Sequence, residues 1–125
     1  MTLGIASVTA RSAFSYNLVK GGKSMYRGTT PTLTLKLKTT VSLENLAKLW
    51  VTFKDATVEI TKTLEDVTID DAEKTITVHL SQEETLQLHG SICQVQVRFR
   101  NQQDLAYATN ICDVDVGRIL KEGVI

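Results

Sequence analysis

The side chains of this sequence with the broadest chemistry are two histidines and two cysteines, His79, His89, Cys93 and Cys112. Covalent catalysis needs a nucleophile within hydrogen-bond reach of a base. No serine or cysteine here lies in a recognisable signature such as Gly-x-Ser-x-Gly. His79 alternates outward from a strand pattern and His89 ends a short helix pattern, so we interpret both as surface histidines. The sequence therefore predicts a protein that is not an enzyme, with no catalytic residue.

The cysteines do not indicate a metal site either. Two cysteines cannot form a structural zinc site unaided. In the final hairpin described below, Cys93 is predicted to lie directly across from Cys112, where a disulfide is geometrically awkward. We therefore predict two reduced thiols that are partly buried and fill space in the core.

Acidic residues and a glycine-rich tetrapeptide are the remaining candidates for ligand binding. The acids cluster at Glu65, Asp66, Asp70, Asp71 and Glu73, and again at Asp113 and Asp115. They lack the glycine and the spacing of an EF-hand, which favours solvated turns over a calcium site. The segment Gly21-Gly22-Lys23-Ser24 lacks the earlier glycine and the preceding strand of a phosphate loop. We predict no metal and no cofactor.

The outer face of the last predicted hairpin is the candidate for nucleic-acid binding. It contains Gln94, Gln96, Arg98 and Arg100 on one strand, with Tyr107 and Thr109 on its partner. A basic, aromatic face binds single-stranded nucleic acid in other proteins. Only two basic residues lie here, within a net negative segment of the chain, so we interpret this face as solvated and predict no nucleic-acid partner.

Alternation of apolar and polar residues is the pattern that positions all of these side chains. The apolar positions are Leu33, Leu35 and Leu37, then Ile76, Val78 and Leu80, then Cys93, Val95, Val97 and Phe99. A period of two places one face of a strand in a core and the other in water. Several such segments in one chain of 125 residues predict antiparallel sheets around a shared core.

The segments between these strands predict the connections. Strands are expected at 50–54, with Val51 and Phe53 inward, at 56–62 and, less regularly, at 63–69. A turn at 70–74 joins 63–69 to a strand at 75–80. Residues 42–49 could form one helical turn capped by Ser42. Ser81-Gln82-Glu83-Glu84 matches a capping box, which predicts a short helix that ends near Gly90 and leads from one sheet to the other.

The last hairpin pairs 91–100 with 105–116, and Arg100 is predicted to face Leu105. A bulge near Asn110 would bring the later residues of the returning strand to the correct face. In total the sequence predicts six or seven strands and an all-β, immunoglobulin-like antiparallel two-sheet sandwich with one or two short helical turns. An open barrel is the alternative.

Charge is distributed unevenly along the chain. Residues 1–38 contain six basic and no acidic residues, whereas residues 39–125 contain eight basic and fourteen acidic ones. Residues 1–24 are therefore predicted to be a basic, flexible leader, and the alternatives are an organelle transit peptide and a leader that is not native, with Met25 as the natural start. Residues 25–125 are predicted to form the single sandwich domain. No apolar run approaches the roughly 20 residues of a spanning helix, so no membrane partner is predicted.

Five segments, taken in order, resemble a group of small proteins encoded among the structural genes of phages and prophages of Gram-positive bacteria. They are Tyr26–Leu33, Leu49–Lys54, Leu80–Thr85, Val95–Arg98 and Arg118–Ile125. The most specific pieces are the Arg-Gly-Thr-Thr-Pro opening and the Leu-Lys-Glu-Gly-Val-Ile ending. The resemblance covers about residues 26–125 and carries no catalytic residues.

This resemblance implies a virion component of the tail or baseplate region, assembled in the bacterial cytoplasm with other virion structural proteins. A basic arm and an acidic body suit contact between copies, so we expect a homo-oligomer in which the Met1–Lys38 region of one copy lies against acidic turns of another. The alternative is a carbohydrate- or cell-surface-binding module, for which Trp50, Tyr26 and Tyr107 are the candidate platform residues.

Overall fold

A computed structural model describes residues 4–11 and 24–125. Within these ranges, side chains are described for Ile5 and for residues 25–125. The described chain is nearly all β. Its strands are β1 (Gly4–Arg11), β2 (Ser24–Tyr26), β3 (Thr32–Lys38), β4 (Lys48–Lys54), β5 (Glu59–Thr63), β6 (Val67–Asp70), β7 (Thr75–His79), β8 (Ile92–Arg100), β9 (Ala106–Ala108) and β10 (Cys112–Gly117). One α-helix, α1 (Gln82–Leu86), and a 3₁₀ turn at Leu64–Asp66 complete the regular structure of this part of the chain.

The strands form two packed sheets, which confirms the predicted sandwich. One sheet has the order β1-β3-β7-β6, and the other has the order β2-β10-β8-β4-β5, with β9 also paired to β8. The order of the first sheet is that of strands ABED in an immunoglobulin sandwich, and β10-β8-β4 corresponds to GFC. β2 runs parallel to β10, and the other strand pairs are antiparallel.

The core lies between the sheets and includes the side chains that alternation assigned to it, together with others such as Met25 and Leu88. Leu33, Leu35 and Leu37 are buried on β3, and Val51 and Phe53 are buried on β4. Removing each such side chain from water contributes about 1.5–3 kcal/mol to folding. The inward positions of β3, β4, β7 and β8 are thus confirmed.

Residues 4–11 form strand β1, although the sequence predicts a flexible leader over residues 1–24. Residues 4–11 pair with β3 along its length, with Ile5 opposite Leu37 and Arg11 opposite Thr32. A paired strand satisfies its backbone groups, so this segment belongs to the first sheet and is not separate from the domain. Residues 12–23, the rest of the predicted leader, lie outside the described residues.

The helical turn predicted over 42–49 is wrong. Ser42 accepts a hydrogen bond from the Glu44 backbone N–H, but Asn45 has a φ of 53°, in the left-handed region where a right-handed helix cannot continue. The Leu43 N–H donates to Asp71 instead of entering a helix. The three leucines of this segment, Leu43, Leu46 and Leu49, are nevertheless buried as predicted.

Local hydrogen bonds also shift two strand boundaries. The Asp55 carboxylate accepts from the backbone N–H groups of Thr57 and Val58, and this turn delays β5 to Glu59. Asp66 accepts from Thr63 and closes the 3₁₀ turn that precedes β6. The β6–β7 hairpin around 70–74 is confirmed.

The capping box at Ser81 is confirmed. The Ser81 hydroxyl accepts from the Glu84 N–H at 3.2 Å, and the Glu84 carboxylate accepts from the Ser81 N–H at 2.8 Å. The helix that follows connects β7 of one sheet to β8 of the other, as predicted.

The final hairpin has a different register from the predicted one. Asn101 donates its backbone N–H to the Leu105 carbonyl, and its side chain accepts from the N–H groups of Gln103 and Leu105. The loop therefore closes one residue later than predicted, and Arg100 pairs with Ala106. The predicted bulge is confirmed, because the register shifts by one residue between β9 and β10, around Asn110.

Candidate functional site

Three segments that are distant in sequence meet at one end of the sandwich. They are the loop Tyr26–Pro31 after β2, the helical segment Ser81–His89, and the segment Gly117–Ile125 after β10. We call this cluster the terminal junction. Its first and last segments contain the opening and the ending on which the phage resemblance mainly rests, and the structure brings them into direct contact through Arg27 and Glu122.

Arg27 is the centre of the terminal junction. Its guanidinium donates to both Glu122 carboxylate oxygens, at 2.7 and 2.8 Å, and to the Leu86 carbonyl at 2.6 Å. His89 Nδ1 lies 3.2 Å from the same guanidinium. The hydrogen bonds from Arg27 hold the pKa of Glu122 below its ordinary value. A fork of this kind fixes orientation as well as distance.

The loop after Arg27 is shaped for close packing. Gly28 has a φ of +71°, and a Cβ at this position would lie 3.2 Å from the Ile119 Cδ1. The buried Thr85 donates its hydroxyl to the Thr29 carbonyl at 2.8 Å, which joins the loop to α1. The glycine of the Arg-Gly-Thr-Thr-Pro segment thus serves backbone conformation and close approach together.

The segment 118–125 is held by hydrogen bonds of the Glu122 side chain and of the Ile125 backbone, while three of its four apolar side chains face water. Gln82 accepts from the Ile125 N–H at 2.9 Å and donates to the Ile125 carbonyl at 3.1 Å. Leu120 and Ile125 are fully exposed, and Val124 is more than half exposed. The terminal junction therefore displays exposed apolar side chains on a segment that is hydrogen-bonded at Glu122 and Ile125.

A second surface lies on the outer side of the larger sheet. We call the outward side of β4, β8, β9 and β10, together with Ile111, the β8 face, because β8 is its middle strand. A shallow groove of about 680 Å³ on it extends to β5 and is lined by Thr52, Thr61, Gln94, Gln96 and other outward side chains. Trp50, Ile92 and Ile111 are large apolar residues exposed on this face.

Trp50 is held by two cations. The Lys48 Nζ lies 5.0 Å from the ring centroid, and the Arg98 guanidinium carbon lies 5.6 Å from it. Cation–π contacts at exposed sites contribute about 0.5–1 kcal/mol each. The ring is consequently oriented and in part covered on the β8 face.

The three aromatic residues considered as a platform do not come together. Trp50 lies on β4, where it pairs with Arg98 of β8. Tyr26 lies on β2, three strands and about 14 Å across the sheet from β4, and it is near the other end of β8, where that strand begins. Tyr107 faces inward and stacks on Phe99 at 5.2 Å. A three-ring platform is therefore wrong.

The register of the final hairpin also changes the predicted polar face. Arg98 and Arg100 point outward as predicted, but their neighbours on β9 are Ala108 and Ala106. Tyr107 is half-buried and Thr109 is buried, so neither lies on the outer face. Arg100 forms an ion pair with Asp104 at 3.0 Å. The face has less aromatic surface than predicted.

The histidines take two different positions. His79 is exposed on the first sheet, with its Nδ1 3.3 Å from the Thr32 hydroxyl. His89 is exposed too, but it takes part in the terminal junction beside Arg27. The sequence prediction of isolated surface histidines thus missed the contact of His89, for which no local signal exists.

Both cysteines are free thiols, and they do not face each other. Cys93 pairs with Val114, and Cys112 pairs with Val95, so the predicted direct opposition is wrong. Cys93 is fully buried, and this burial raises the pKa of its thiol to about 12. A buried thiol with so high a pKa is a poor nucleophile.

Of the two acidic clusters, the first contributes to turns, whereas Asp113 and Asp115 are exposed on β10, so the turn predicted for them is wrong. Asp71 accepts from the Lys74 ammonium and from the Leu43 N–H, and Asp70 accepts from the Glu73 N–H. In residues 4–11 and 24–125 no group of three potential metal ligands comes together. Gly21–Lys23 lie outside the described residues. No helix in the described ranges is both long and apolar enough to span a membrane.

Neither a comparison with protein-family models nor one with curated proteins finds a match to this chain.

Proposed function

We propose that this chain is a non-enzymatic structural protein of a phage or prophage virion, in the tail or baseplate region, that acts through self-association and contact with other virion structural proteins. The observation that carries the proposal is the terminal junction, where the backbone of the last segment is fixed while Leu120, Val124 and Ile125 face solvent. The resemblance of its opening and ending to phage structural proteins supplies the virion context.

A fixed backbone with exposed apolar side chains suits protein–protein contact on energetic grounds. Burial of apolar surface contributes about 25 cal/mol per Å². Association loses less conformational entropy when the binding segment is already ordered, and Arg27 and Gln82 provide that order. These contacts therefore support a role in assembly.

One positive charge of the basic segment 1–38, that of Arg27, is paired within its own chain. Arg27 is bound to Glu122 in its own chain, and Lys36 donates to the Glu73 carbonyl. Lys38 remains exposed. We therefore place less weight on a basic arm against acidic turns of another copy and more on the two surfaces of the folded domain.

Two measurements test the proposal. Light scattering at low and high salt is expected to give a mass above that of the monomer, and a monomer under both conditions would refute self-association. Particles purified from the encoding host are expected to contain the chain. Leu120→Asp should lower its incorporation, whereas Leu105→Asp, at an exposed loop position elsewhere, should not. Particles without the chain would contradict the virion role.

A carbohydrate-binding module is the second candidate, favoured by the groove beside Trp50 with its amide and hydroxyl side chains. The two cations over the ring compete with a stacked sugar, so we rank this candidate second. A glycan array probed with the wild type and with Trp50→Ala distinguishes the two, because a Trp50-dependent signal would support the module.

A further inference from the structure

The β8 face has charges of opposite sign on its two flanks. Asp113 and Asp115 are exposed on β10, and Lys48 and Lys54 are exposed on β4. The middle strand between them presents Ile92, Gln94, Gln96, Arg98 and Arg100. No ion pair to Asp113, Asp115 or Lys54 forms within the described residues. The charges of Asp113, Asp115 and Lys54 are therefore available to a partner.

The register places one acid and one base at the same level. Asp113 and Lys54 both pair with Gln94, from opposite sides of β8. Their backbones are separated by two strand spacings, about 10 Å. No ion pair joins Asp113 to Lys54 within the described residues, and the two charges lie symmetrically about the middle strand.

We propose that the β8 face is the contact between two copies of this chain, related by a two-fold axis parallel to β8. Such an axis places β10 of one copy over β4 of the other at the same level, so Asp113 meets Lys54 of the second copy twice per dimer. A two-fold axis perpendicular to the strands would place β10 over β10 and oppose like charges. Charge complementarity thus selects both the occupant and the axis.

The sizes of the side chains on the two flanks of β8 are complementary under the same two-fold axis. Trp50 and Ala108 pair with Arg98 from opposite sides, and Lys48 and Ala106 pair with Arg100 in the same way. The proposed axis therefore places each large side chain of β4 over an exposed alanine of the other copy. Arg98 lies on the axis strand, and its guanidinium is drawn toward the Trp50 ring on β4. This arrangement reduces the repulsion between the two Arg98 side chains.

The inference rests on the self-association in the proposed function and specifies its surface. The test is a pair of charge reversals, Lys54→Glu and Asp113→Lys, each measured alone and in an equal mixture. In each single variant both cross-dimer contacts become like-charged, so we expect the dissociation constant to rise about tenfold or more. In the mixture every contact joins opposite charges, so heterodimers are expected at close to wild-type affinity. Native mass spectrometry identifies them by the mass difference between variants.

Lys38→Glu is the matched control, because Lys38 is exposed on the other sheet and should leave dimerisation unchanged. Ala108→Trp is an independent variant, expected to abolish the dimer by collision with Trp50 of the second copy while the monomer stays folded. If the wild type associates but neither charge reversal weakens it, the β8 face is refuted and self-association stands. A wild type that stays monomeric at every salt concentration would refute both the β8-face dimer and the self-association of the proposed function, whether or not it binds a glycan through Trp50.

Discussion

Arg27 and Glu122 are 95 residues apart in the chain and joined by two hydrogen bonds of 2.7 and 2.8 Å. The arginine side chain is only 11% exposed, and its carboxylate partner is 61% exposed. The pair therefore connects a buried anchor in the loop after β2 to a segment on the surface. It positions the apolar side chains that carry the proposed assembly role.

Arg27→Ala is predicted to release the last segment without unfolding the sandwich. The segment after β10 contains no regular strand or helix, and Arg27 supplies its only ion pair to the rest of the described chain. Hydrogen exchange of the Ile125 N–H, which donates to Gln82, should become about tenfold faster or more, because local opening of the segment no longer breaks a charged fork. Arg27→Lys should restore the slow exchange only in part, since lysine lacks the forked donor geometry of the guanidinium. Arg118→Ala, in the same segment, is the control, and equal exchange in all variants would contradict the anchor.

Glu84→Gln is predicted to reduce stability at neutral pH and to have no effect in acid. Partial burial raises the pKa of Glu84, but hydrogen bonds from Lys62 and Ser81 lower it by more, so the pKa lies below the ordinary value of 4.5. A lowered pKa contributes stability above pH 4.5 that is lost as the pH falls through the folded-state value. We expect a loss of about 1 kcal/mol at pH 7, measured by urea unfolding, that disappears at lower pH.

The matched control for this prediction is Glu83→Gln. Glu83 lies beside Glu84 in the first turn of α1 but forms no ion pair in the described structure. Glutamine at position 84 can still complete the capping box, so the comparison isolates the charge. An equal effect of both substitutions at all pH values would contradict the role of the Lys62–Glu84 pair.

Thr109→Val is predicted to destabilise the fold at the bulge between β9 and β10. The buried Thr109 hydroxyl accepts from the Val97 N–H at 3.1 Å and donates to the Asn110 carbonyl at 2.8 Å. Valine keeps the volume but leaves both backbone groups without this partner, at a cost of about 1–3 kcal/mol. Thr109→Ser keeps the hydroxyl and should cost less in urea unfolding. A larger loss of unfolding free energy for Thr109→Ser than for Thr109→Val would show that packing, and not hydrogen bonding, fixes the bulge.

Gly117→Ala and Tyr26→Ala are predicted to be energetically coupled. A Cβ at position 117 would overlap the Tyr26 ring, which covers this glycine where β2 pairs with β10. The ring must move, and we expect a cost of about 1–3 kcal/mol. In a Tyr26→Ala background, Gly117→Ala should lower the free energy of unfolding by less. A double-mutant cycle of unfolding free energies measures this difference. Strict additivity would contradict the packing of Tyr26 on Gly117.

The parts of this fold that could be predicted are those set by local patterns. The burial of Leu33, Leu35 and Leu37 follows from a period of two, and the helix at Ser81 follows from a capping box four residues long. The register of the last hairpin could not be predicted in this way. It depends on how the Asn101 side chain closes its loop, and one residue of error moved Tyr107 to the wrong face.

The candidate surfaces were harder to predict because each depends on contacts between distant segments. No periodicity connects Arg27 with Glu122, or places Asp113 and Lys54 at the same level on either side of Gln94. Nothing local in the sequence shows that the loop after β2 and the segment after β10 touch. β1 was missed because its charge and its position before a basic, glycine-containing stretch suggested a leader.

Alkylation is predicted to separate the two cysteines in the native protein. Cys93 is fully buried, and that burial, together with the nearby Asp55 charge, raises the pKa of its thiol to about 12, whereas Cys112 is half-buried. Because the thiolate is the reactive form, iodoacetamide at neutral pH should modify Cys112 first and Cys93 only when the sandwich opens. Mass spectrometry should show one modification in the native protein and two in denaturant without reductant. Cys112→Ser should remove the native modification. Rapid native labelling of Cys93 would contradict its place in the core, and no labelling in denaturant would reveal a disulfide.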